Sequence, residues 1–325
     1  MKEVELKMLE RAKALLESGE VARVVGWKKG DFCFDPSPAT FESVEELKDF
    51  VYDYFCGANL SKYLIQISKK EGKTAVFLKP CDTYSFNQLV KEHRIKRENV
   101  YVIAIECIGK LDVEKMRAKG VSAITGVEVV GKEVKVQSLY GDVVLNKPEV
   151  VLSKCETCQK THQVQDEEII VHERVERDVD RFAEVRKLEA MSEDERFAFW
   201  RAQLSKCIRC NACRNVCPAC SCVKCVFDNP ASSIAAKAND DKFEEQLFHV
   251  IRAFHVSGRC TDCGECSRVC PQNIPLHLLN RKFIKDINEL YGEFQAGEEA
   301  EGKTPLTSYT EGDIEPNDVF RGEAK

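Results

Sequence analysis

Nowhere in these 325 residues is there an apolar stretch near the ~20 residues that a membrane-spanning helix requires. The chain opens MKEVELKMLE, which has neither the basic start nor the apolar core of an export signal, so a cytoplasmic protein is the expectation. Basic runs with interleaved aromatics are absent too. With 54 Asp and Glu against 48 Lys and Arg, the balance is mildly acidic, and nucleic acid is not an expected partner. No GxGxxG fingerprint of a dinucleotide-binding turn occurs.

What the chain has in quantity is cysteine, seventeen in all. In a reducing cytosol such thiols stay free, so metal binding is a better reading than a disulfide framework. Eight fall in two runs, 207 to 217 and 260 to 270, that each spell CxxCxxCxxxCP. A cubane cluster needs four converging thiolates. Three come from the closely spaced part of a run, and in two-cluster ferredoxins the cysteine before proline crosses to the other cluster. On that pattern Cys207, Cys210, Cys213 and Cys270 hold one 4Fe-4S cluster, and Cys260, Cys263, Cys266 and Cys217 hold the second. A pair of zinc knuckles is the alternative, but zinc takes four ligands in two pairs and leaves Pro218 and Pro271 unexplained. Lys206, Arg209, Arg214, Arg259 and Arg268 flank the runs, either raising reduction potentials or serving as solvated surface charge.

Nine cysteines lie outside the runs. Cys81 follows TAVFLKP and Cys107 follows VYVIAIE, so each sits just past the carboxyl end of an expected parallel strand, where α/β folds place their ligands. Cys155 and Cys158 add a CxxC. These four make one further cluster's worth of thiols, with small core hydrophobes as the bland alternative. Cys220, Cys222 and Cys225 follow the first run directly, in CPACSCVKC. Cys33 or Cys56 could complete a fourth site with them, or they share ligation with the third. Cys56 is otherwise a core thiol.

Periodicity predicts an amphipathic helix over 3 to 18, with Val4, Met8, Ala12, Leu15 and Leu16 on one face and Gly19 ending it. Residues 21 to 34 read as a strand, a turn at Lys29-Gly30 and a second strand. Ser43 and Glu46 read as a capping box before a helix with Val44, Leu47, Val51, Tyr54 and Phe55 on its apolar face. From 73 the pattern is βαβα, with a helix begun by Asp82 and another from Asp112 to Gly120, which implies a parallel sheet. Strands with turns at Gly131-Lys132 and Gly141-Asp142 follow. A second capping box, Ser192 to Glu195, opens a helix, and Phe243, Leu247, Val250, Ile251 and Phe254 mark another between the cysteine runs. His249 and His255 on that helix are expected to be packed or exposed rather than ligating.

The expected fold is therefore a mixed α/β domain with a partly parallel sheet over 1–175, then a helical connector over 176–205. A mostly helical dicluster ferredoxin domain spans 206–292. An acidic tail covers 293–325, as an extended arm, a docking strap or disorder.

The segments KCIRCNACRNVCPACSCVKC and FHVIRAFHVSGRCTDCGECSRVCPQNIPLHLLNRKF resemble the dicluster portion of the beta subunits of coenzyme F-420-reducing hydrogenases and formate dehydrogenases. KTAVFLKPCDTYSFNQL and NVYVIAIECIG resemble that family more weakly. The resemblance implies an FAD-containing electron-transfer subunit working between a catalytic partner and a soluble carrier. The expected partners are the other subunits of a hydrogenase, formate dehydrogenase or heterodisulfide reductase-like complex. The alternatives are a flavin-dependent oxidoreductase that itself reduces or oxidises a deazaflavin or nicotinamide, and a zinc-stabilised interaction module.

Overall fold

The computed structural model describes residues 1–159, 163–170, 179–229, 231 and 242–308. Helix α1 (Lys2–Glu17) buries Val4, Met8, Ala12 and Leu15 at the predicted helical spacing, and Gly19, at φ +70°, follows its end. It covers one face of a five-stranded sheet in the order β2-β1-β3-β4-β8. The strands are β1 (Arg23–Lys28), β2 (Ser37–Phe41), β3 (Thr74–Leu78), β4 (Val100–Ile105) and, after the smaller sheet, β8 (Glu168–Ile170). β1, β3, β4 and β8 run parallel and β2 is antiparallel at the edge. All five residues of β3 are buried, as a strand covered on both faces requires.

Two expectations near the N-terminus fail for identifiable reasons. The second strand of the first hairpin starts at Ser37, because Asp35 accepts the amide of Phe32 and closes a longer loop. The helix expected after Ser43 does not form beyond a 3-10 turn, Glu45–Asp49. Phe50 is extended and bridges to Lys28, and Val51 donates to the Trp27 carbonyl, so the core recruits this segment as backbone partner to β1. Glu46 caps the amide of Glu42 instead.

The one-turn helix α2 (Leu64–Ile67) precedes β3, and α3 (Pro80–Lys91) follows it. Helix α3 starts two residues before Asp82, since Pro80 at the first helical position suits the fixed φ and needs no donor. Cys81 is thereby set in its first turn. Helix α4 (Val113–Ala118) is capped by Asp112, which accepts from Glu114 and Lys115. The hairpins predicted at 131 and 141 are formed by β5 (Ile124–Val130), β6 (Glu133–Ser138) and β7 (Val143–Asn146). They make a separate antiparallel sheet with its own core around Met116, Val134, Val136 and Val150.

The short helix α5 (Ser153–Glu156) carries Cys155. Helices α6 (Ala183–Glu189) and α7 (Glu193–Leu204) follow, the latter with the predicted Ser192–Glu195 capping box. The regular elements described in the ferredoxin part are helices: α8 (Ala212–Val216), α9 (Lys242–His255), α10 (Glu265–Arg268) and α11 (Leu276–Tyr291). The helix predicted between the cysteine runs is α9, but the apolar residues that mark it do not form its buried face. Phe243, Val250 and Phe254 are exposed, while Glu245, Phe248, His249, Arg252 and Ala253 face inward. The start of the acidic tail packs on α3: Ala296 is buried, and Asn87 donates to the Glu298 carbonyl.

Candidate iron–sulfur sites

The two cysteine runs fold into loops with the same backbone. Arg209 and Asn211 in the first, and Asp262 and Gly264 at the equivalent positions of the second, all have positive φ between 53° and 66°. Left-handed backbone costs an ordinary residue roughly 1–2 kcal/mol, so three non-glycine instances in matched places point to an imposed geometry. Such alternation turns successive N–H groups toward one concavity, a nest for an anion. Here they point at sulfur. The Arg209 amide lies 3.3 Å from Cys207 Sγ, and the Asp262 amide stands in the same relation to Cys260.

Cys207, Cys210, Cys213 and Cys270 line a single cavity. Cys217 lies against Cys260, Cys263 and Cys266. Each fourth thiol thus crosses to the other run's loop. Burial pushes Cys213 up to about 11, and Cys207, Cys263 and Cys266 to about 12. Cys217 is raised by its contact with Cys220 and then by burial. Thiols held this way stay protonated until a metal displaces the proton. Cys213, Cys217 and Cys220 also fall at the CxxxCxxC spacing of radical SAM proteins, but Cys213 lies with Cys207, Cys210 and Cys270 while Cys217 lies with Cys260, Cys263 and Cys266.

A mononuclear zinc at ~2.3 Å from each sulfur would bring its thiolates to roughly 3.8 Å of one another. Among the described residues no three cysteine sulfurs come within 4.8 Å of each other. The group of three that does is Cys207, Glu245 and His249. The wider thiol spacing and the nests fit a cluster of several irons rather than one zinc.

Helix α9 supplies a second sign of anionic cargo. Arg252 is 2% exposed, all three of its guanidinium nitrogens lack a hydrogen-bond partner among the described residues, and it faces Cys266, Cys213, Cys217 and Cys220. A buried guanidinium facing only thiols is costly unless those thiols carry negative charge. Both ring nitrogens of His249 are also unpartnered there, and burial, reinforced by Arg252 and Arg209, holds it neutral near a pKa of about 3. The flanking cations named from sequence are mostly paired: Arg209 with Glu245 at 3.3 Å, Arg214 with Asp228, Arg259 with Glu92 and Arg268 with Glu265. Among the described residues Lys206 bonds Gln203, at the surface.

The α/β lobe gathers the other expected set. β3 and β4 are adjacent and parallel, so Cys81 and Cys107 emerge at one sheet edge. Cys81 neighbours Cys158, and Cys155 neighbours Cys107 and Cys158. Burial pushes Cys155 up to about 11. Three lysines turn inward around these thiols. Lys79 bonds Asp82 and the Ala58 carbonyl, each at 2.7 Å. Lys110 bonds the Asp53 carbonyl and lies 3.9 Å from the Tyr52 ring centre. Lys154 meets Glu265. Cys56 lies near Lys110, but its thiol is engaged by Asp53 and the Val51 carbonyl within the main core. Cys33 is exposed beside Asp35 and Asp53.

The two lobes meet through polar contacts. Asn59 donates its amide to Glu265 at 3.2 Å, Ser85 and Thr261 are 2.9 Å apart, and Arg281 donates to Thr157 at 2.8 Å. Gly264 is required there, because a Cβ would strike Lys154. Lys154 is close to Cys81 and Cys155 on one side and to Cys263 on the other. Sequence reading missed Lys79, Lys110, Lys154, Glu265 and Arg252. For Arg252 a signal existed: Glu245, His249 and Arg252 recur at i, i+4 and i+7, a polar stripe along one helix face.

These features define an iron–sulfur protein, a two-cluster ferredoxin part joined to an α/β lobe, and a 4Fe-4S dicluster domain family matches residues 203–274. Within that class the chain is a homologue of the beta subunits of F420-dependent formate dehydrogenases. The beta subunit of Methanocaldococcus jannaschii is 24% identical over 340 residues, covering 86% of this chain and 88% of that protein. The beta subunit of F420-dependent formate dehydrogenase 1 of Methanococcus maripaludis is 25% identical, covering 66% of this chain and 72% of that one. A solved chain of the F420-reducing NiFe hydrogenase complex of Methanosarcina barkeri aligns at a TM-score of 0.35 and 13% identity, over 48% of this chain and 63% of that one. No described helix is long and apolar enough to cross a membrane.

Proposed function

We propose that this chain is the electron-conducting subunit of a larger oxidoreductase, with three thiolate sites in series. Cys81, Cys107, Cys155 and Cys158 would hold one cluster, Cys260, Cys263, Cys266 and Cys217 the next, and Cys207, Cys210, Cys213 and Cys270 the last. When bound, each cluster supplies reversible one-electron storage. The observation that carries the reading is Lys154, whose ammonium stands between the thiols of the α/β lobe and Cys263. Lys154 and Arg268 share the single carboxylate of Glu265, and the one positive charge left over favours negative cargo beside them. The relatives are beta subunits of F420-dependent formate dehydrogenases, which supports a catalytic partner chain of that kind; a hydrogenase or heterodisulfide reductase-like partner rests on the resemblance of the cysteine motifs alone.

A flavin would add hydride chemistry, but the Rossmann mode of holding it does not fit. β3 passes into α3 through Lys79-Pro80-Cys81 without a glycine, and Cys81 takes the helix start where a pyrophosphate would sit. The proposed route therefore runs through thiolates.

Anaerobic purification followed by iron, sulfide and flavin quantitation tests the reading. The three sites of the series account for about twelve irons per chain, and Cys107→Ser should remove about four of the wild-type count while the dicluster signals persist. An iron count unchanged between wild type and that variant would remove the α/β site from the series.

A further inference from the structure

Five thiols remain outside the series, and three of them, Cys220, Cys222 and Cys225, share one loop. The loop that carries them is clamped by the α/β lobe. Lys62 donates to the Cys220 carbonyl, and Arg94 to the Ser221 carbonyl. Ser221 Oγ and Arg259 both meet Glu92. A loop fixed at so many points is built to aim its side chains. Cys220, Cys222 and Cys225 all line one open cavity of about 390 Å³, together with Lys62, Arg214 and Arg252. Cys33 and Cys56 lie in the α/β lobe beside Asp53 and are not among its lining residues.

The charges in this cavity do not balance. Arg214 is matched by Asp228 at 2.8 Å and Arg259 by Glu92. Among the described residues no carboxylate pairs with Lys62, and Arg252 reaches the cavity with its buried guanidinium nitrogens unpartnered. Lys62 lies beside Cys220 and Cys222, and Arg252 faces Cys220 as well as the ferredoxin thiols, so the cavity favours an occupant whose negative charge resides on its own thiols. The sulfurs are too far apart for one zinc, since no three of them lie within 4.8 Å.

We propose that Cys220, Cys222 and Cys225 hold a further iron–sulfur cluster through three thiolates, leaving one iron without a protein sulfur and facing the open cavity. That iron takes water, hydroxide or an external thiolate. The site stands independently of Cys81, Cys107, Cys155 and Cys158, and its failure would leave the proposed series intact.

The test uses the full chain, purified anaerobically. Ferricyanide removes one electron from a four-iron core of charge +2, and the resulting +3 core releases its thiolate-free iron as Fe²⁺, leaving a three-iron core of charge +1. Wild type should then show the near-isotropic paramagnetic signal of a three-iron cluster. The double variant Cys222→Ala, Cys225→Ala should lack it and contain about four fewer irons, with the dicluster signals retained. A second measurement needs no variant. After oxidation, reduction with dithionite in the presence of ⁵⁷Fe²⁺ should place about one ⁵⁷Fe per chain in a cluster, read by Mössbauer spectroscopy. Equal iron in wild type and variant, zinc in place of the lost iron, or no uptake of ⁵⁷Fe would overturn the proposal.

Discussion

Lys154 and Glu265 form an ion pair from which water is excluded, one partner on the helix of the α/β lobe that carries Cys155 and the other directly before Cys266. Glu265 is fully buried and also receives Arg268 through two bonds of 2.8 Å and the amide of Asn59. Burial alone would raise its pKa, but Arg268 and Lys154 outweigh it and hold the carboxyl far below the ordinary range. The pair thus joins two thiol sites and two lobes through one carboxylate.

Because three donors converge on Glu265, Glu265→Gln should be far worse than an isosteric change usually is. It strands the Lys154 ammonium, 7% exposed, and breaking a buried pair from one side costs about 3–5 kcal/mol. Urea denaturation of the anaerobic protein should show that loss. The double variant Glu265→Gln, Lys154→Met should recover part of it, since no unpaired ammonium then remains buried.

Cys56 and Cys155 are both buried, yet they should respond differently to removal. The Cys56 thiol bonds Asp53 and packs in the main core, so Cys56→Ala should cost on the order of 1 kcal/mol and leave iron unchanged. Cys155→Ala should lower iron by about four per chain. Iron assay and thermal denaturation of the two variants side by side distinguish a packing thiol from a ligand.

The cysteine runs were legible in sequence because cluster ligation fixes spacing, and their two loops repeat the same left-handed positions. The pairing of Cys81 with Cys107 was legible because adjacent parallel strands end at one edge. Helix α9 was legible from the spacing of Phe243, Leu247, Val250, Ile251 and Phe254, but which of its faces is buried was not. The rule that apolar residues face inward would put Phe243, Val250 and Phe254 in the core, but the interior next to the thiols favours cations and hydrogen-bond donors, and His249 and Arg252 take those places. The helix predicted over 44 to 55 failed for a different reason: Phe50 and Val51 are worth more as extended backbone against β1 than as helix. Periodicity describes one element at a time and carries no information on such competition.

The tail is anchored at Gly297, whose φ is +77° and where a Cβ would lie 1.9 Å from the Tyr84 carbonyl oxygen. Gly297→Ala should therefore cost roughly 1–2 kcal/mol from left-handed strain alone, with the backbone clash in addition. The segment would leave α3 to relieve it. Limited proteolysis should cut the variant near residue 297 faster than wild type, with cluster signals unaltered.

Arg252 gives the sharpest electrostatic prediction. It faces cysteines assigned to both ferredoxin clusters, and no carboxylate among the described residues pairs with it. Reduction adds a negative charge, and a fixed nearby cation stabilises that state more than the oxidised one. Arg252→Met keeps the side chain's length and apolar stem while removing the charge. At an effective dielectric of about 20, a unit charge several ångströms away is worth about 2 kcal/mol, so the variant's potentials should fall by on the order of 50 to 100 mV. Iron content should hold, because Arg252 is not a ligand. A redox titration followed by EPR reads both quantities on one sample. A variant that keeps its iron and also its potentials would show that the guanidinium is silent, and the case for anionic cargo beneath α9 would rest on the nests alone.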